Sequence, residues 1–426
     1  MRTVRFGIIG CGMMGREFAS AAARWLHLPE MMVRPQIVAI CNRTLGTPKV
    51  DWFRDNIPTV RQVTSDYREL LRNPEVEAVY IAVPHNLHEE LYIAAIEAGK
   101  HVMGEKPFGI DLEANAAILA AIERHPSSFV RCASQFIFFP AAQRIGRMIE
   151  AGAFGRIIEV NAGFLHSSDL NPQKPINWKR ILEFNGQYGC MGDLGPHACT
   201  IPLRAGWVPR NVRAVLSNIM PKRPDGKGST VPCETWDNAS LLCEARDPTS
   251  GGVFPLYLKT QRISPGEQNN WYIEVYGTRA SARFSLRQAN TLELLEYTPG
   301  NEQAWRRIDM GHEVAFASIS PAIFQFGLSD AILQMWAAFL HELDSGRTSS
   351  RFAGCITPQE SMQWHRLFTA ALESYATGTT AEVSEQILPV PPISELWQSS
   401  STRGTSKTSA PSQWNRPTGP GTHGSP

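Results

Sequence analysis

The chain reads as an α/β protein, a doubly wound parallel sheet followed by an α+β domain with a large, mainly antiparallel open sheet. Three observations carry that reading. An apolar run from Val4 to Ile9 leads directly into Gly10-Cys11-Gly12-Met13-Met14-Gly15, and apolar residues at helical spacing (Phe18, Ala22, Trp25, Leu26) follow. Strand and helix signals then alternate to about residue 132. From Ile157 onward the texture changes to period-two alternation with longer loops.

In the first part, Ile37 to Ile40 is a short apolar strand, and a short helix starts near Asp66 with Glu69 in capping-box spacing. Ala78 to Val83 is a nearly continuous apolar run, as a strand covered on both faces requires, and Pro84 stops it. The next helix is expected to be capped by Asn86 with Glu89 three residues on, to present Leu91, Ala95 and Ile96, and to end at Gly99. His101 to Gly104 makes a strand, Asp111 caps another helix, and Phe129 to Ser134 resumes extended structure. Strands in the second part are expected at Ile157 to Phe164, Val212 to Ile219, Ala239 to Glu244, Phe254 to Lys259, Trp271 to Tyr276 and Ala280 to Ser285. Helices at Ala142 to Ala151 and Ala331 to Leu343 would cover one face of that sheet and leave the other as a dimer surface. Beyond Pro392 the chain turns Ser/Thr/Pro/Gly-rich, too poor in apolar side chains to offset the entropy of ordering. The domains expected are 1–132, binding a dinucleotide, and 133–392, holding substrate and the dimer surface, with 393–426 a disordered tail.

The 426 residues are too many for one ordinary core, and 43% hydrophobic content is ample for two. A formal net charge of +1 provides no field to attract nucleic acid or an acidic membrane, so a small molecule is the expected partner. The eight cysteines are scattered without C-x-x-C pairs, which reads as buried thiols in a reducing compartment and no metal site. No signal-peptide pattern precedes the glycine loop and no apolar run is long enough to span a bilayer, so a cytoplasmic protein is expected.

Each glycine of the loop has a physical task. Gly10 permits the tight turn, Gly12 lets the backbone approach a pyrophosphate, and Gly15 lets helix and strand lie close, with Met13 and Met14 in the helix's first turn where unpaired N–H groups meet the anion. The second strand of such a unit ends where the adenosine ribose is read. Asn42 and Arg43 stand there in place of an acidic residue, which favours NADP over NAD, although Arg43 can equally stack on adenine or face water. Glu105-Lys106-Pro107 follows a strand at the carboxyl edge, where Lys106 can hold nicotinamide and substrate and offer a cation to developing oxygen charge, although taken alone a lysine before a proline is most often a solvated loop charge. Asp193-Leu194-Gly195-Pro196-His197 places a carboxylate and an imidazole four residues apart, on one face if the turn is helical, with Pro196 suited to its first turn. His197 can take a hydroxyl proton, and Asp193 can orient either the imidazole or the substrate. The plain alternative is an N-cap aspartate followed by a satisfied core histidine.

Together these signals, in this order, resemble the Gfo/Idh/MocA oxidoreductase family. The resemblance spans 1 to about 385 and rests on the glycine loop, on Ala82-Val83-Pro84-His85-Asn86-Leu87-His88, on the run from Glu97 to Pro107, and on Asp193 to His197. It implies an N-terminal Rossmann domain, a C-terminal domain with a largely antiparallel sheet used for homodimer or homotetramer formation, and oxidation or reduction of a sugar, inositol or related polyol with NADP or NAD. It also implies Lys106 as catalytic lysine, His197 as proton acceptor and Asp193 as the residue aligning substrate. Pro84, His88 and Glu105 join the cofactor contacts, and Trp178 and Tyr188 stand on the substrate side. These two aromatics, with Trp271, could stack on a sugar ring or belong to the core. Asn185-Gly186-Gln187-Tyr188-Gly189 departs from the glycine run of many relatives, which bears on substrate shape. Lys174 and Lys179 are open to an acidic or phosphorylated substrate or, more simply, to solvent. Two other readings are a redox-neutral NAD-dependent glycosidase and a non-catalytic dinucleotide sensor; retention of Lys106, Asp193 and His197 together favours net hydride transfer.

Overall fold

The computed structural model describes residues 1–384; the expected tail, 393–426, lies outside them. The first half is a six-stranded parallel sheet made of β1 (Arg2–Ile9), β2 (Val33–Cys41), β3 (Gln62–Thr64), β4 (Ala78–Ile81), β5 (His101–Gly104) and β6 (Val130–Cys132). Its order, β3-β2-β1-β4-β5-β6, reverses direction at β1, so the β1 and β4 carboxyl ends diverge and open a crevice there. Helices α1 (Met13–Ala23), α2 (Pro48–Asn56), α3 (Tyr67–Arg72), α4 (His88–Glu97) and α5 (Leu112–Arg124) make the crossovers. β4 is buried throughout, as its unbroken apolar sequence requires. Asp66 caps α3 and Asp111 caps α5, each accepting a backbone N–H.

Asn86 is not a cap. Residues His85–Leu87 form a 3-10 turn after Pro84, and α4 starts at His88 with Leu87 at the cap position. Glu69 likewise leaves the capping box, because its carboxylate is taken by the Thr64 hydroxyl.

After α6 (Pro140–Glu150) come β7 (Ile157–Leu165), the short α7 (Leu182–Asn185) and α8 (Cys190–Arg204). The strands β8 (Pro209–Ser217), β9 (Lys222–Pro224), β10 (Thr230–Pro232), β11 (Asn238–Arg246), β12 (Val253–Gln261), β13 (Asn270–Gly277), β14 (Ala280–Ser285), β15 (Thr291–Glu296) and β16 (Arg306–Asp309) follow. Then come α9 (Leu328–Ser345), α10 (Pro358–Thr377) and β17 (Ala381–Glu382). Nine strands form one sheet, β16-β15-β14-β13-β7-β12-β11-β8-β17, and β9 and β10 make a separate ribbon. Every pair in the large sheet is antiparallel except β7 with β12, which makes it mixed. Helices α6, α8 and α10 pack on one face. The other face exposes Val215, Leu242, Tyr257 and Ile158 in alternation with buried neighbours.

The two halves share a core. Trp336 of α9 is buried in the first half, stacked on Phe18 with centroids 3.7 Å apart and edge-on to Phe6 and Tyr80. All eight cysteines are buried free thiols. No helix among the described residues is long and apolar enough to cross a membrane.

Candidate active site

The glycine loop has the geometry its three glycines require. Gly10 sits at φ +107°, and a Cβ there would meet the Ala82 carbonyl oxygen at 2.2 Å. A Cβ on Gly15 would meet the Gly10 carbonyl oxygen at 2.5 Å, so helix and strand are as close as their backbones allow. Gly12 is the opposite case: a Cβ there meets nothing within 4 Å. It stands at the N-cap of α1, whose first turn has no side-chain cap, so an open anion cradle faces the crevice and these residues fit a dinucleotide pyrophosphate. Met13 is exposed at the start of α1, while Met14 leans against the core.

Asn42 locks this loop to the end of β2. Its Oδ1 accepts from the Cys11 N–H at 3.3 Å and its Nδ2 donates to the Thr44 carbonyl at 2.8 Å. Arg43 beside it is exposed, with no hydrogen bond or ion pair among the described residues.

Lys106 follows β5 at the carboxyl edge, and its peptide to Pro107 is cis. The segment is held from three sides. The Glu105 carboxylate accepts from Tyr80 Oη at 2.6 Å, the Glu105 carbonyl accepts from Tyr92 Oη, and the Pro107 carbonyl accepts from Trp364 Nε1 and His365 Nε2 on α10. Glu105 therefore points its side chain into the sheet rather than toward a cofactor, and burial raises its carboxyl. His88 is also corrected. It is fully buried, stacked on Tyr92 and bonded through Nε2 to the Val83 carbonyl, and burial pushes it down to about 3. Pro84 ends the β4 segment and opens the 3-10 turn, half-buried at the crevice edge.

Asp193 and His197 lie on α8, which begins at Cys190, so Pro196 is inside the helix rather than in its first turn. The helix brings Asp193 under Lys106. Lys106 Nζ donates to the Asp193 carbonyl at 2.6 Å and to its Oδ1 at 2.8 Å. Lys179 Nζ reaches both carboxylate oxygens at 3.0 Å, and Arg262, just past β12, donates to Oδ2. Burial opposes the charge, but three cations hold the carboxyl well below its ordinary range. The Asp193 carboxylate makes no side-chain hydrogen bond to the His197 ring among the described residues, so the option that it orients the imidazole is corrected: it orients the lysines.

Other groups set the imidazole. His197 Nδ1 lies 3.4 Å from Ser134 Oγ, which lies 3.2 Å from Thr200 Oγ1, which donates to the Pro196 carbonyl at 2.8 Å. With the Thr200 proton committed to Pro196, the consistent chain has Ser134 donating to Thr200 and accepting from His197 Nδ1–H. This tautomer assignment leaves Nε2 with a bare lone pair and no partner among the described residues. Phe136 and Phe164 wall the ring edge-on at 4.9 and 5.6 Å, and Trp271 Nε1 anchors the His197 carbonyl. Burial holds the imidazole well below its ordinary value, so it is neutral at pH 7.

Among the aromatics, Trp178 is half-buried, edge-on to His85 at 4.9 Å and next to Lys179, so it borders the site. Tyr188 does not. It is fully buried against His365 and Phe368 with its hydroxyl on Thr369, a core position under α10. Trp271 is likewise core. Sequence reasoning missed Arg262 and Ser134, which arrive from distant elements, and Thr200, which lies on α8 itself three residues after His197, and Lys179 is a site residue rather than a solvated one.

Residues 4–130 match the model described as "Oxidoreductase family, NAD-binding Rossmann fold", and residues 142–283 match the "GFO/IDH/MocA C-terminal domain". An uncharacterised oxidoreductase of Synechocystis is 30% identical over 273 residues, 63% of this chain and 69% of its own. The chain belongs to the Gfo/Idh/MocA oxidoreductase family. It is an NAD-binding oxidoreductase with that family's two-part architecture. Within the family, levoglucosan dehydrogenase of Pseudarthrobacter phenanthrenivorans is 27% identical over 311 residues, 69% of this chain and 76% of its own. A solved structure of levoglucosan dehydrogenase in complex with NADH and levoglucosan superposes with a TM-score of 0.78 at 25% identity, covering 90% of this chain and 100% of that one.

Proposed function

We propose that this oxidoreductase is an NAD(P)-dependent dehydrogenase or reductase acting on a secondary alcohol or ketone of a sugar, inositol or related polyol. The observation that carries the reading is the convergence of Lys106 Nζ with a helix that also presents a neutral imidazole, one nitrogen of which is unpartnered. The kinship with levoglucosan dehydrogenase supports the substrate class.

The glycine loop, Asn42, Arg43 and Lys106 are the residues that would hold the cofactor, whose nicotinamide supplies the hydride acceptor or donor. The substrate hydroxyl donates to His197 Nε2 and lies beside Lys106. As the carbinol carbon loses hydride, His197 takes the hydroxyl proton, and the Lys106 ammonium stabilises the oxygen charge that develops. Asp193 holds the Lys106 ammonium in place. In the reverse direction His197 returns the proton to the alkoxide oxygen.

Production of reduced nicotinamide on presenting NAD+ or NADP+ with a panel of polyols and sugars tests this reading. Turnover in several of them supports it; product release with no reduced cofactor points instead to the redox-neutral glycosidase. Ser134→Ala is expected to lower kcat about tenfold with KM little changed, because the wrong tautomer is then populated, and an equal fall in both constants would argue for a merely structural role.

Arg43, exposed and uncommitted at the ribose end of β2, supports NADP as the preferred cofactor. Calorimetric titration should show NADP+ binding weakened about 10- to 100-fold in Arg43→Asp. Preference of the wild type for NAD+ would overturn this assignment alone. The exposed apolar rows of the nine-stranded sheet suit a second copy of the chain, so a homodimer or homotetramer is expected by sedimentation.

A further inference from the structure

The groups beneath the site carry more positive than negative charge. Lys106, Lys179 and Arg262 share the Asp193 carboxylate; Arg262 also binds Asp169 at 3.0 Å, as does Lys174 at 3.4 Å; Arg180 lies between Asp169 and Asp237. Arg223 donates to the Asp169 carbonyl. Six cations share three carboxylates in one connected cluster, and counting nearby Glu105 as ionised raises the carboxylates to four.

The arginines and aspartates of this cluster are fully buried, and the groups open to a ligand are the lysines. The Lys106 side chain is 15% exposed and that of Lys179 31%. Both ammonium groups touch the same Asp193 oxygen, at 2.8 and 3.0 Å, so they are neighbours. Burial lowers Lys179 to about 8, with Arg262 and Lys106 acting in the same direction and the Asp193 carboxylate against it. A neutral polyol would leave that surplus uncompensated, whereas an anionic oxygen group on the substrate would complete it.

We propose that the substrate is an acidic polyol or sugar, with a carboxylate near the reacting carbinol, and that Lys179 is the residue that binds this carboxylate while Lys106 and His197 attend the hydroxyl. This rests on the oxidoreductase reading and narrows its substrate class. Trp178, edge-on to His85 and beside Lys179, borders the place where the acidic end would lie.

Matched probes test the proposal: D-gluconate against D-sorbitol and D-glucuronate against D-glucose, each with the cofactor-loaded full chain. Binding is read by calorimetry in the presence of reduced cofactor, and turnover by reduced-nicotinamide production with oxidised cofactor. The acid of at least one pair is expected to bind at least tenfold tighter than its neutral partner. Lys179→Gln should cut that ratio about tenfold through KM, and Lys179→Arg should restore most of it. Equal or better binding of both neutral partners, or loss in Lys179→Gln that falls alike on acid and neutral compounds, overturns the proposal. A sugar phosphate such as D-glucose 6-phosphate binding more tightly than either acid also overturns it. Acid-selective binding without any turnover would uphold the anion site and count against the oxidoreductase reading instead, so the two failures are distinguishable.

Discussion

Replacement of His197 by Asn is expected to lower kcat for alcohol oxidation by roughly 10²- to 10⁴-fold, the range for removal of a general base. The substitution keeps the backbone carbonyl that Trp271 grips, so the fold around it should persist. Lys106→Met should cost roughly 10²- to 10³-fold, as loss of a preorganised cation at a developing oxyanion does. Asp193 remains held by Lys179 and Arg262 in that variant, which guards against collapse of the site. Because both residues act on one oxygen, the double variant should fall by much less than the product of the two effects. Burial holds His197 well below the ordinary histidine value, so the acid limb of kcat/KM for oxidation should lie below pH 6.5. Steady-state kinetics on purified variants with matched circular dichroism provide the check. Activity within a few-fold of wild type in His197→Asn would remove the histidine from the chemistry.

The second large effect is on stability. His85, His88, His197 and His365 are all buried and held neutral, His88 down to about 3 and His365 to about 4. An unfolded histidine takes its proton near pH 6.5. Below that value the unfolded chain binds more protons than the fold, and stability declines as the pH falls toward the native values. Four protons correspond to about 5 kcal/mol per pH unit once the effect is fully developed near pH 5. Glu105, whose carboxyl is raised by burial and so favours the fold on protonation, works in the opposite direction. A slope of up to about 5 kcal/mol per pH unit would exhaust an ordinary stability of 5–15 kcal/mol within about one to three pH units. Urea titrations from pH 7 downward should show this decline, and His88→Gln should flatten it by about 1.4 kcal/mol per pH unit. A total slope no larger than one proton's worth would mean that these histidines charge in place.

What could be read in advance followed from local rules. The glycine loop between an apolar strand and a helix is enough to place β1, α1 and the crevice, and β4 betrays its burial by composition alone. Lys106, Asp193 and His197 were legible because each sits in a short motif whose chemistry needs its neighbours. Tyr188 and His88 went the other way, since nothing local separates an aromatic or an imidazole facing a ligand from one packed under a helix. Arg262 was invisible: it lies 69 residues from Asp193, and only the course of β12 brings it there. The parallel pairing of β7 with β12 is equally silent in alternation, which fixes faces but not direction. The helix α10 did announce itself, through Thr357 and Glu360 in a capping box with Pro358 between them, yet the expectation stopped at Leu343.

Trp336 sets a timetable for biosynthesis. Residues 1–132 are made before α9, so Phe6, Phe18 and Tyr80 lack the Trp336 ring they pack against until α9 is made. Roughly two hundred residues, about ten to forty seconds of elongation at ordinary rates, separate the end of that segment from the start of α9. The nucleotide-binding half is therefore made well before the side chain that completes its core, and nascent-chain stalling before Leu328 should leave it sticky to chaperones and soft to proteases.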